Sequence, residues 1–172
     1  MKRIAIIVLA VILNLTARGE EQDTNPWEHI EFLIRTWTEK TEKSTVKHAY
    51  EWVLGGQFIK STTDAHFHPK DGKESTHQDV GYFSFDKGRG KVVFRQFHSE
   101  GFINTYVFDE RRTTDSSIVL ATEHTENAGG MRAELTISKK SEKEYEMILY
   151  LPGKEGEFKA CQWKNATKEG KE

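Results

Sequence analysis

The chain has 172 residues, 25 Lys and Arg against 27 Asp and Glu, and a formal charge of −2. A slightly acidic surface is no electrostatic partner for nucleic acid, and the length suits one domain with a core of its own and no second of ordinary size. Cys161 is the only cysteine, so no internal disulfide is available and packing alone must hold the fold.

The chain opens Met1-Lys2-Arg3, continues with an apolar run from Ile4 to Leu13, and reaches small residues at Thr16, Ala17 and Gly19. That is the pattern of a signal peptide over residues 1–19, cleaved after Ala17 or Gly19. The run is about half the roughly 20 residues a membrane span needs. The expected product is a single exported domain, residues 20–172, periplasmic or secreted, with no membrane span after cleavage.

Asn25-Pro26-Trp27-Glu28 offers an N-cap, a proline for the first helical position and an acidic first turn, which predicts one short helix carrying Ile30, Leu33 and Ile34. Beyond Thr36 the chain becomes short runs of Val, Ile, Phe, Tyr and Thr broken by Gly, Asp, Asn and Lys. Strands are predicted near 35–42, 47–54, 57–68, 76–85, 91–98, 102–109, 117–125, 131–138, 145–151 and 157–164. Asp86-Lys87-Gly88-Arg89-Gly90 and Asn127-Ala128-Gly129-Gly130 read as turns. No segment of crossover-helix length separates the runs, which excludes parallel α/β topologies. The expected fold is an all-β antiparallel meander, closed as a roughly ten-stranded lipocalin-like barrel that hides its edges and can hold a ligand. Trp37, on the first strand, is expected to plug its bottom.

The segment from Lys91 to Phe108 suggests a pocket. With Ser99-Glu100 as a two-residue turn, Phe97 opposes Phe102, Arg95 opposes Asn104, and Val93 opposes Tyr106, all on one face. That face is expected inward, because an arginine, an amide and a phenol among aromatics are the convergent polar groups of a ligand cavity. Glu123, Glu126 and Arg132 would complete a charged network with Arg95 or leave a guanidinium for a ligand carboxylate. The expected ligand-binding set is Trp37, Arg95, Phe97, Phe102, Asn104, Tyr106, Glu123 and Arg132.

His66-Phe67-His68 with Asp64 places two imidazoles and a carboxylate on one face of a strand, as cupin metal sites do. Cupins also need a nearby glutamate at fixed spacing and a second motif; Glu74 is too far and no second motif follows, so no metal is expected. No nucleophile elbow, zinc-protease motif or phosphate loop appears, and no catalytic residue is assigned. Cys161 on the last strand reads as a packing residue.

Three stretches resemble the nitrobindin group of heme-binding, lipocalin-like β-barrels: Phe32-Leu33-Ile34-Arg35-Thr36-Trp37; Arg95-Gln96-Phe97-His98-Ser99-Glu100-Gly101-Phe102-Ile103-Asn104-Thr105-Tyr106; and Thr122-Glu123-His124-Thr125-Glu126-Asn127 followed by Gly130-Met131-Arg132-Ala133. The resemblance implies about ten strands around a cavity, and in nitrobindins proper a ferric heme held by a histidine near the C-terminus. No histidine follows His124 here, so family heme ligation transfers to no residue; a Cys161 thiolate is a ligand type that some heme proteins use instead. The expectation is a noncatalytic barrel without cofactor that binds a small, partly hydrophobic molecule, an anionic one among the options. Its rivals are a heme protein handling nitric oxide or peroxynitrite and a filled barrel that binds another protein.

Overall fold

The structure, a computed structural model, describes residues 25–68, 72–153 and 158–168, without the side chains of Phe158 and residues 161–168. The expected signal peptide and the Cys161 thiol fall outside that description.

The described chain is all-β. Ten antiparallel strands follow one another as a meander: β1 Thr36–Lys40, β2 Ser44–Val53, β3 Phe58–Phe67, β4 Ser75–Asp86, β5 Lys91–His98, β6 Ile103–Phe108, β7 Ser117–Glu126, β8 Glu134–Ser141, β9 Glu144–Pro152 and β10 Phe158–Lys168. Each pairs with the next, and β1 also meets β10 at two register positions, Trp37 with Lys168 and Thr38 with Thr167. Alternation sets the two faces. On β3, for example, Ile59, Ser61, Thr63 and Ala65 are buried while the residues between them are not.

The expected N-terminal helix is only a single 3-10 turn, Glu31–Leu33. Asn25 does accept the Trp27 backbone N–H, at 3.1 Å. The turn ends at Ile34, where ψ is 85°, and the Trp37 indole N–H takes the Leu33 carbonyl at 2.9 Å, the acceptor that an α-helix would give to the Trp37 backbone. Ile30 and Leu33, each 1% exposed, pack with Trp37 on the core, and Tyr145 meets the Trp37 ring edge-on at 4.8 Å between centroids. No helix among the described residues is long and apolar enough to cross a membrane.

The β5–β6 hairpin departs from the expected register by one residue. Ser99, Glu100 and Gly101 form a three-residue loop between the bonded pair His98 and Phe102, with the His98 N–H donating to the Phe102 carbonyl at 3.0 Å and the Gly101 N–H to the His98 carbonyl at 2.9 Å. Gly101 has φ +88°, the left-handed residue that closes a three-residue hairpin. Gln96 therefore opposes Asn104, Phe94 opposes Tyr106, and Arg95 opposes Thr105. A one-residue slip exchanges faces, so Asn104 and Tyr106 turn inward and Arg95 and Phe97 turn outward.

Candidate functional site

The inner wall of the sheet is layered, and the layers can be read across the strand pairings. At one level His48, Thr63, Asp79 and His98 are successive cross-strand partners on β2, β3, β4 and β5. One step deeper come Tyr50, Ser61, Gly81, Gln96 and Asn104. Below that lie Ile59, Phe83, Phe94 and Tyr106. Polarity thus falls from one end of the interior to the other.

These layers enclose a cavity of about 530 Å³. Its apolar wall includes Phe83, Phe94, Leu135, Ile137, Met147 and Leu149, and its polar end is built from His48, Thr63, His77, Asp79, Gln96 and His98. Phe94 stacks on Phe83 at 4.1 Å between centroids and lies directly over Gly81. A β-carbon there would come within 2.4 Å of the Phe94 ring, so the wall has room at this point only for glycine.

The polar end is a connected network. His77 Nδ1 meets Glu100 Oε1 at 2.7 Å, and its Nε2 faces Asp79 Oδ2 at 3.3 Å. These hydrogen bonds, Asp79 first, lift the His77 pKa to about 9 against the opposing effect of burial, so the chain holds an imidazolium between two carboxylates. Burial works against ionising Asp79, but the His77, Gln96 and Thr63 side chains outweigh it and its pKa falls below the ordinary carboxylate value. Burial lowers the pKa of His98, which keeps that ring neutral. The Asn104 amide donates to the Tyr106 hydroxyl at 3.0 Å and lies 3.4 Å from His98 Nε2, while its oxygen accepts from Thr125 at 3.1 Å. Burial pushes the Tyr106 phenol up to about 12, so it stays protonated. Two atoms of the cluster, Asp79 Oδ1 and His98 Nδ1, are buried with no hydrogen-bond partner among the described residues.

Of the eight residues expected from the sequence, Phe102, Asn104 and Tyr106 line the cavity. Trp37 is buried in the core beside Tyr145 and is not part of the cavity lining. Arg95 stands on the outer face, paired with Glu126 at 2.9 Å and lying over the ring of Phe97, which is 40% exposed. Glu123 pairs with Arg89 at 2.7 Å on the surface, and Arg132 is exposed. The expected charged network of Arg95, Glu123 and Arg132 is therefore not an interior feature; the hairpin slip accounts for Arg95.

His77, Asp79, Gln96 and His98 were not among the expected site residues. The signal for them was alternation: His77, Asp79, Gly81 and Phe83 are every second residue of β4, and Phe94, Gln96 and His98 are every second residue of β5. The histidine pair weighed as a cupin-type site is elsewhere: His66 and His68 are exposed, the first 3.4 Å from Asp64 and the second 3.3 Å from Glu74. No protein-family model matches the chain, and no curated protein matches it either.

Proposed function

We propose that this chain is an exported binding protein with a lipocalin-like closed barrel, which takes one small, partly hydrophobic molecule into its interior. The cavity carries the reading: its 530 Å³ falls within the range of about 300–1,000 Å³ usual for ligand pockets, with an apolar body and a few convergent polar groups at one end. Closure is supported by the pairing of β1 with β10. Export is supported by the charged start and apolar run of residues 1–13.

The polar end favours a neutral or basic head group. Neither Arg95 nor Arg132 lines the cavity, and its charged groups are one imidazolium between two carboxylates, with Asp79 Oδ1 still lacking a donor. A hydroxyl or amino group of a ligand satisfies that oxygen, and the apolar body rests on Phe83, Phe94, Leu135 and Ile137. A solid interior devoted to protein contacts is poorly served by such a cavity. Heme is a poor fit as well: the described imidazoles that line the cavity come from β2, β4 and β5, and two of them share a carboxylate, a donor set that suits a bare ion better than a porphyrin's single axial ligand.

Titration with a neutral, environment-sensitive aromatic amine tests the reading. Saturable one-to-one binding is expected, lost when Leu149→Trp fills the cavity and weakened about 10- to 150-fold when Asp79→Asn removes the acceptor charge, the range of about 1.5–3 kcal/mol for a hydrogen bond to a charged group. Absence of binding, or binding indifferent to both changes, would refute it. A hemin titration in the same series distinguishes the heme alternative, which requires a saturable, shifted Soret band.

A further inference from the structure

We propose that His77, Asp79 and His98 form a binding site for a divalent transition-metal ion at the polar end of the cavity. Each offers one ligand atom, and the three atoms lie within 4.8 Å of one another. Two imidazoles and a carboxylate are the donor set that zinc and ferrous iron both accept in sites with open coordination positions. His77 Nε2 and Asp79 Oδ2 are already 3.3 Å apart, close to the ligand-to-ligand spacing of roughly 3.3 Å in a tetrahedron with bonds near 2.0 Å.

The surroundings are those of a metal site. Glu100 holds Nδ1 of His77 at 2.7 Å and is itself met by Ser99 Oγ at 3.3 Å, so Nε2 is the nitrogen turned toward Asp79. A carboxylate behind a ligating histidine fixes its ring and raises its basicity. Asp79 is only 5% exposed yet leaves Oδ1 without a partner, and His98 leaves Nδ1 buried and unpaired. Unsatisfied buried polar atoms are costly, and a cation held by these residues lowers that cost. Strand pairing supplies the rigidity: Asp79 and His98 are direct cross-strand partners, and His77 is two residues from Asp79 on the same face of β4. The exposed His66–Asp64 and His68–Glu74 pairs have no such third ligand among the described residues. All three residues line the cavity, so a molecule bound there lies beside the ion. The site does not depend on the organic ligand proposed above.

The test is calorimetric titration of the untagged full chain with Zn²⁺ alone. One ion per chain is expected to bind saturably, to raise the melting temperature, and to shift the His77 and His98 ring resonances in NMR spectra of the unmodified protein. Glu100→Gln should weaken binding by about 10- to 100-fold as a supporting-residue change. Asp79→Asn and His98→Gln should weaken it more, with circular dichroism reporting whether each variant folds. His66→Gln should change nothing. Absence of stoichiometric binding by the unmodified chain would overturn the proposal. So would ring shifts confined to His66 and His68, or undiminished affinity in a folded His98→Gln protein. Binding of the aromatic amine in the presence of a chelator, with no zinc binding, would retire the metal site and leave the ligand cavity standing.

Discussion

Arg95 and His77 show how little of a side chain's role lies in its type. Arg95 and Glu126 are both well exposed, with side-chain accessibilities of 49% and 39%, so their 2.9 Å contact is screened by water. Arg95→Ala is expected to change unfolding free energy by no more than about 1 kcal/mol in a denaturant titration. A loss of several kcal/mol would mean the guanidinium is buried after all. His77 behaves differently because two carboxylates converge on it. Its pKa is raised from 6.5 to about 9, so the pair's contribution is fully present below pH 6.5 and is lost as pH rises through about 9. In chelator-treated protein, stability should fall by about 1–2 kcal/mol between pH 6 and pH 9.5, a figure reduced for partial exposure. The fall should be absent in His77→Gln. Equal slopes in the two proteins would contradict the imidazolium assignment.

At the scale of elements, the strands were legible and one register was not. Val, Ile, Phe, Tyr and Thr alternating between Gly- and Asn-rich breaks located the β-runs, because period-two burial is written directly into side-chain order. The β5–β6 pairing was not, because neither face of that hairpin is cleanly polar and a two-residue turn at Ser99-Glu100 leaves Gly101 in the ladder, one residue off the observed pairing. With Gly101 at φ +88° the turn takes a third residue, and the expected inner face loses Arg95 and Phe97 while gaining Gln96 and His98. Gly101→Val should cost about 1–2 kcal/mol in unfolding free energy, the penalty of a branched side chain in left-handed backbone. A neutral outcome would mean the turn conformation is wrong. Gly81 is constrained by packing instead: Gly81→Val pushes against the Phe94 ring and the Arg95 carbonyl, 3.0 Å from the added β-carbon. It should cost about 1–3 kcal/mol and disturb the cavity wall. The metal cluster escaped notice for a related reason. Its three members are two residues apart on β4 and a strand away on β5, a juxtaposition that becomes visible only once the register is known.

At the scale of the molecule, the chain is a nearest-neighbour meander whose first and last strands meet through the shortest ladder among the described residues. β2 and β3 share ten register pairs, whereas β1 and β10 share two among the described residues. The N-terminal turn reinforces this seam, since Trp37 ties the Leu33 carbonyl, Tyr145 and the core together. Trp37→Ala should therefore destabilise by about 3–5 kcal/mol, and amide exchange should rise first along β1. Exchange that rises first in β2 and β3 would place the weak point elsewhere.

The central claim is that the interior, and not the outer surface, receives a small molecule. Its most direct test is NMR mapping of methyl resonances as a neutral aromatic amine is added. Saturable shifts should be concentrated at Met131, Leu135, Ile137, Met147 and Leu149, which line the cavity. Shifts confined to Val80 and the exposed surface around Tyr82 and Phe97 would contradict the account and turn attention to the outer face of β4 and β5.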